Sequence, residues 1–169
     1  MPSKRTDRLT KTNYWDELFR IRDQQREFRQ GAVKVVRRSE LPLEKNRQGL
    51  MRWYLHPSIT DTVIHSLIIF EQEIPPGSRS GRIKFQGGQV LYVKEGKGHT
   101  LVDGVRHAWQ AGDVINLPLK RDGIVVQHVN GDRERPAKLI ACEPNWVGCV
   151  GVDRGSGFEQ LEDSPDHRR

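Results

Sequence analysis

Six histidines and two cysteines carry the softer donor atoms of this chain, and their placing limits the chemistry within reach. His128 stands in IVVQHVN, a strand-like run, so its imidazole is a candidate general base or a donor to a bound ligand, with a pKa lowered by apolar surroundings. The plainer expectation is a buried histidine satisfied by Gln89 or by backbone, the more frequent fate of a lone histidine among strands. Two histidines and one carboxylate can hold iron, which makes His65 and His128 with Glu71 or Glu73 a further candidate set; alternation puts His65 and Glu73 on one face. His56, His99, His107 and His167 fall beside turns or near the end of the sequence, where surface positions are expected. Cys142 and Cys149 lack the CxxC or His-flanked spacing of a zinc site and read as reduced thiols of an intracellular protein. No P-loop, GxGxxG, Ser-His-Asp or HExxH pattern occurs, and Gly87-Gly88 reads as a turn.

The elements that must position these groups are mostly short strands. AVKVV, MRWYL, TVIHSLIIFEQEI, QVLYV, HTLV, VRHAW, DVINL, IVVQHVN and AKLIACE follow one another, each closed by Gly, Pro, Asn or Asp. Asp103-Gly104 between two of them is a two-residue hairpin signal, since a type I′ turn needs residues that tolerate positive φ. One helix precedes the strands: in NYWDELFRIRDQQREFRQG the residues Tyr14, Leu18, Ile21 and Phe28 share a face, Asn13 suits the N-cap and Gly31 the stop. The pattern predicts an all-β sandwich or barrel with one leading helix. The expected division is an arm and helix over 1–31, a barrel over 32–150 and a polar, solvated or partner-draped tail over 151–169.

A formal net charge of +6 is spread among acids rather than gathered into a basic stripe, which argues against nucleic acid as a partner. No signal-peptide core and no run of about 20 apolar residues appears, so the expectation is a soluble, cytoplasmic protein without a membrane span. TVIHSLIIF is apolar on both parities, which predicts a covered outer face and at least a dimer.

Two stretches together resemble the cupin family of small jelly-roll β-barrels. The family's first motif runs Gly, five residues, His-x-His, three or four residues, Glu, six residues, Gly. Here Gly77 opens it and Gly96 closes it, and the ligand places fall on Ile83, Phe85 and Gln89. The second motif matches at Gly112, Pro118 and Asn130, with Val126 in the histidine place. The resemblance covers roughly Ile59 to Trp146 and implies an all-β, single cupin jelly-roll barrel with an N-terminal α-helix. It does not carry the metal over: Ile83, Phe85 and Val126 have no donor atom, and Gln89 offers one neutral carbonyl. No metal is expected in this chain. Ile83, Phe85, Gln89, Val126 and His128 remain as a candidate pocket for an apolar or aromatic small molecule.

Within cupins, NRQGLMRWYLHP, IPPGSRSGR and VVQHVNGDRERPAKLIACEPNW are similar to proteins of bacterial aromatic-ring catabolism. More narrowly, size, leading helix and stripped metal site resemble the small subunit of two-component hydroquinone 1,2-dioxygenases. That resemblance implies a non-catalytic subunit, in a homodimer or hetero-oligomer, beside a larger cupin subunit that carries Fe(II). The readings set against it are a cofactor-independent enzyme or small-ligand binder using His128, and a dioxygenase with a displaced iron site.

Overall fold

The computed structural model describes residues 3–146 and 159–167. Its contacts divide the chain into two compact units, one reaching Lys34 and including Asp61–Val63, the other comprising Val35–Thr60 and the residues from Ile64 onward.

The first unit is helical. After a short helix α1 (Lys4–Thr10), α2 spans Tyr14–Gly31, capped as predicted by the Asn13 side chain, which accepts from the Asp16 amide. Tyr14, Leu18, Ile21 and Phe28 do share a face, and all four are exposed. AVKVV does not form the predicted strand. Val33 makes one parallel bridge to Thr62, and its neighbours pair with nothing else, so β-branched content alone misled there.

The second unit is built of strands. Its outer helical turn is a 3-10 segment, Arg38–Glu40, followed by β1 (Glu44–Asn46), β2 (Gly49–Leu55), β3 (Leu67–Ile74), β4 (Arg82–Phe85), β5 (Val90–Glu95), β6 (Lys97–Val102), β7 (Val105–Gln110), β8 (Val114–Asn116), β9 (Ile124–Asn130), β10 (Ala137–Pro144) and β11 (Glu159–Glu162). They form two antiparallel sheets, ordered β1-β2-β3-β10-β5-β8 and β11-β4-β9-β6-β7. Alternation decides the core. Leu91, Val93, Leu139 and Ala141 face inward from the first sheet, and Phe85, Trp109, Ile124 and Val126 from the second. This is the all-β jelly roll that the turn-bounded strands predict.

The turns explain the framework residues. Asp103 and Gly104 adopt φ of 50° and 84°, closing the β6–β7 hairpin as a two-residue primed turn. Gly96 has φ of 88°, and a Cβ there would sit 2.8 Å from the Cα of Ala137, so both conformation and space require glycine. Asn130 donates to the carbonyls of Ile74, Pro75 and Arg135 and accepts from the Asp132 amide, which ties the end of β9 to the adjoining loops.

TVIHSLIIFEQEI becomes a strand only from Leu67, and the tail is not wholly solvated. Glu159–Glu162 adds to the sheet as β11 beside β4, and Ser164 is buried against the Arg79 carbonyl at 3.0 Å. EQLE lacks apolar alternation; it is matched by charge to β4 and the residues just before it, through Arg79–Glu162 at 2.7 Å, Arg82–Glu162 at 3.8 Å and Lys84–Glu159 at 4.0 Å. Arg82 and Lys84 thus meet the chain's own C-terminal strand. Residues 151–158 and 168–169 of the expected tail, and Cys149, lie outside the described residues.

The outer face of the six-stranded sheet holds a buried ion cluster. Glu71 has no exposure, and its carboxylate takes Arg38 at 2.8 Å, Lys94 at 3.1 Å and Arg52 at 3.2 Å. Burial pushes the Glu71 carboxyl up, but the hydrogen bonds from Arg38 and Lys94 outweigh it and hold the group below the ordinary carboxylate value. Glu71→Gln removes the anion and leaves three cations facing one another. Chemical denaturation at neutral pH is expected to show a loss of about 3 kcal/mol, against little change for the exposed Glu40→Gln.

Candidate functional site

β4 and β9 pair in the register Ile83↔Val126 and Phe85↔Ile124, so these four side chains project from the same face of the sheet, into the barrel. Val126 is 2 % and Phe85 7 % exposed, while Ile83 is half-buried and packed against the core. The β4–β5 connection then turns through Gly87 and Gly88, with φ of 84° and 73°. A Cβ on Gly87 would collide with the Pro118 carbonyl oxygen. That close approach, with the Leu117 amide donating to the Gln89 carbonyl at 2.9 Å, delivers Gln89 to the interior at the start of β5.

Gln89 does not reach His128. Its amide Nε2 donates to Glu143 Oε2 at 2.7 Å, and both residues are buried. Glu143 sits on β10 in the inward register of Leu139 and Ala141, directly beside Ile68 of β3. Burial pushes its carboxyl up; the Gln89 bond offsets this only in part. The sequence reading missed Glu143, although the alternation Ala137, Leu139, Ala141, Glu143 in AKLIACE was enough to place it inside.

His128 is held by other partners. It pairs in register with Thr100, and its Nδ1 lies 2.8 Å from the Thr100 hydroxyl, which also receives the Trp109 indole N–H at 3.0 Å. The hydroxyl has no other hydrogen-bond partner among the described residues, so its proton is directed at Nδ1 and the neutral ring carries its own proton on Nε2. Burial lowers the His128 pKa to about 4. The ring is 6 % exposed. A neutral imidazole inside the barrel is thus what the strand pattern predicted, but Thr100 supplies the hydrogen bond in place of Gln89 or backbone.

The alternative iron set is not brought together. Glu71 and Glu73 lie on the outer face of the six-stranded sheet, Glu71 in the ion cluster and Glu73 at 3.7 Å from Arg52, whereas His128 faces inward from the other sheet. His65 precedes β3 and is exposed. Among the described residues no three or more His, Cys, Asp or Glu side chains cluster as a metal site would require. The expected ligand places do not fit an ion either, since three are hydrocarbon and the fourth amide is bonded to Glu143. Of the remaining histidines His107 is exposed, His56 and His167 are intermediate, and His99 departs from expectation by lying within β6, half-buried, where burial and Arg106 lower its pKa.

Two facing antiparallel sheets in this order, closed over an apolar interior by glycine turns, define the cupin jelly-roll fold. No protein-family profile matches the chain, and no curated protein sequence matches it. Solved structures do. The chain is similar to the polyketide cyclase RemF from Streptomyces resistomycificus, with a TM-score of 0.56 and 18% identity over 80% of this chain and 89% of that one. It is similar to a cupin-like protein from Thermotoga maritima, with a TM-score of 0.53 and 18% identity over 74% and 92% of the respective chains. A variant of the salicylate 1,2-dioxygenase from Pseudoaminobacter salicylatoxidans, solved in complex with gentisate, matches with a TM-score of 0.53 and 19% identity over 88% of this chain and 37% of that one. These likenesses establish the fold. Among the described residues no helix is long and apolar enough to cross a membrane.

The His128 environment sets a pH dependence. The unfolded ring titrates near 6.5 and the folded ring near 4, so the unfolded state binds the proton first as pH falls. Stability from this group is complete above about pH 6.5 and is lost progressively down to about pH 4, by as much as about 3 kcal/mol. Urea denaturation at pH 7 and pH 4.5 is expected to show a smaller pH difference for His128→Gln than for the natural chain. Taking the difference between the two proteins cancels the opposite contribution of Glu143.

Proposed function

We propose that this chain is a cupin without a metal of its own, serving as the non-catalytic subunit beside a larger iron-bearing cupin in oxidative cleavage of a hydroquinone-type ring. The observation that carries the reading is the interior of the barrel at the family's ligand places: Ile83, Phe85 and Val126 present hydrocarbon, and Gln89 is spent on Glu143. In a subunit relieved of metal binding, each buried aliphatic or aromatic side chain stabilises the barrel by roughly 1.5–3 kcal/mol. Imidazoles left there without an ion would instead need other partners or cost stability. The likeness to a ring-cleaving dioxygenase solved with gentisate supports the general direction through fold alone.

A second reading is favoured by the pair of buried, neutral-leaning groups, His128 and Glu143: a cofactor-independent enzyme or small-ligand binder working in the same apolar interior.

Co-expression with an iron-bearing larger cupin separates the two. The first reading predicts co-purification at fixed stoichiometry, with iron following the larger chain and no ring cleavage of hydroquinone by this chain alone. Turnover of hydroquinone by the isolated chain with one bound iron would contradict it. Ile83→His with Phe85→His is expected to give no iron-dependent ring cleavage, because Gln89 and Val126 still leave an ion without a carboxylate and a third imidazole.

A further inference from the structure

The apolar face of α2 lies bare. Tyr14, Leu18, Ile21 and Phe28 are between 42 % and 61 % exposed, although such a stripe on a capped helix of 18 residues ordinarily rests against another element. With Gln25 these residues recur at steps of four, three, four and three, which is the 3.5-residue period of heptad positions d, a, d, a, d. That period belongs to a narrow seam between two helices. Trp15 and Phe19 lie off the line and pack on each other edge to face, and Arg22 is held over the Phe19 ring.

The flanks of the seam carry opposite charges. Glu17 and Gln24 occupy position g, and Arg22 and Arg29 occupy position e. In a parallel pair, g of one helix meets the following e of the other, so Glu17 of each copy faces Arg22 of the second. An antiparallel pair overlapping from Leu18 to Phe28 would set Arg22 beside its own counterpart, like against like. Within one chain Glu17 bonds Arg20 and Arg22 bonds Asp23, surface pairs that a second copy displaces at small cost. Gln25 puts an amide at one a position, where a polar residue fixes register. A lipid surface fits less well, because α2 carries four arginines and four carboxylates, without the cationic excess that an anionic bilayer selects.

We propose that α2 is a self-association element that docks in parallel on α2 of a second copy of this chain, through Tyr14, Leu18, Ile21, Gln25 and Phe28, with Glu17 of each copy paired to Arg22 of the other. Two heptads make a short seam, so the association is concentration-dependent. The contact is distinct from the covered face expected at TVIHSLIIF, and it stands under either functional reading.

Sedimentation velocity of the full chain over a wide range of concentration tests it. The natural chain is expected to double its mass as concentration rises, and Leu18→Glu is not, with the barrel's thermal midpoint unchanged because Leu18 is exposed. Glu17→Arg and Arg22→Glu should each weaken association about tenfold, the worth of two surface pairs made repulsive, and the two exchanges together should restore most of the loss. That recovery is a readout which a general loss of helix would not give. A mass that does not rise, a rise that Leu18→Glu leaves unchanged, or no recovery in the double exchange would each overturn the proposal. Association of the natural chain with phosphatidylserine vesicles in place of self-association would also overturn it.

Discussion

The cross-strand pair of Ile83 on β4 and Val126 on β9 sets the character of the barrel. Side chains paired in register on the inner side of a sheet lie side by side, and here both are hydrocarbon. In that surrounding a polar group persists only with a partner, or in its neutral form. Gln89 finds Glu143, His128 finds Thr100, and Asn130 turns to three carbonyls. The backbone framework is that of the cupin jelly roll, with its glycine turns and its loop-tying asparagine, and its interior at Ile83, Phe85 and Val126 is hydrocarbon.

The two faces of the six-stranded sheet handle charge in opposite ways. On the outside, Glu71 stays ionised because Arg38, Arg52 and Lys94 converge on it, and the cluster fastens the 3-10 turn at Arg38 to the sheet. On the inside, Glu143 is pushed toward its protonated form because a single amide is its company. A residue type alone therefore says little about reactivity. Burial and the sign of the neighbours decide it: three cations hold the Glu71 carboxyl low, while burial pushes the Glu143 carboxyl up and lowers the His128 pKa to about 4.

Much of the fold was legible because the signals were local. The Asp103-Gly104 turn, the Asn13 cap and the spacing of Gly77, Gly96, Gly112, Pro118 and Asn130 each reflect a backbone requirement that one or two residues meet. What escaped was set by distant parts of the chain. β11 pairs through charges that are complementary only once Arg79, Arg82 and Lys84 lie beside it, and AVKVV looks like a strand but has no neighbour to pair with beyond Thr62. At the site, residue types at the cupin positions foretold the apolar filling, and the parity of β9 foretold that His128 faces inward. The partners of Gln89 and His128 were not foretold, because each comes from a strand remote in sequence. Glu143 ends a run of inward small and apolar residues, Ala137, Leu139 and Ala141, so its local sequence reads as core packing.

At the four ligand places a divalent ion would meet three hydrocarbon side chains and one amide already bonded to Glu143. Electron paramagnetic resonance of Mn(II), titrated into the purified chain at neutral pH, reads this directly through the signal of the free ion. The expected result is a free-ion signal that rises with added metal as it does in buffer. Loss of one equivalent of that signal, restored by Gln89→Leu, would mean that the ligand places still grip an ion and would contradict it.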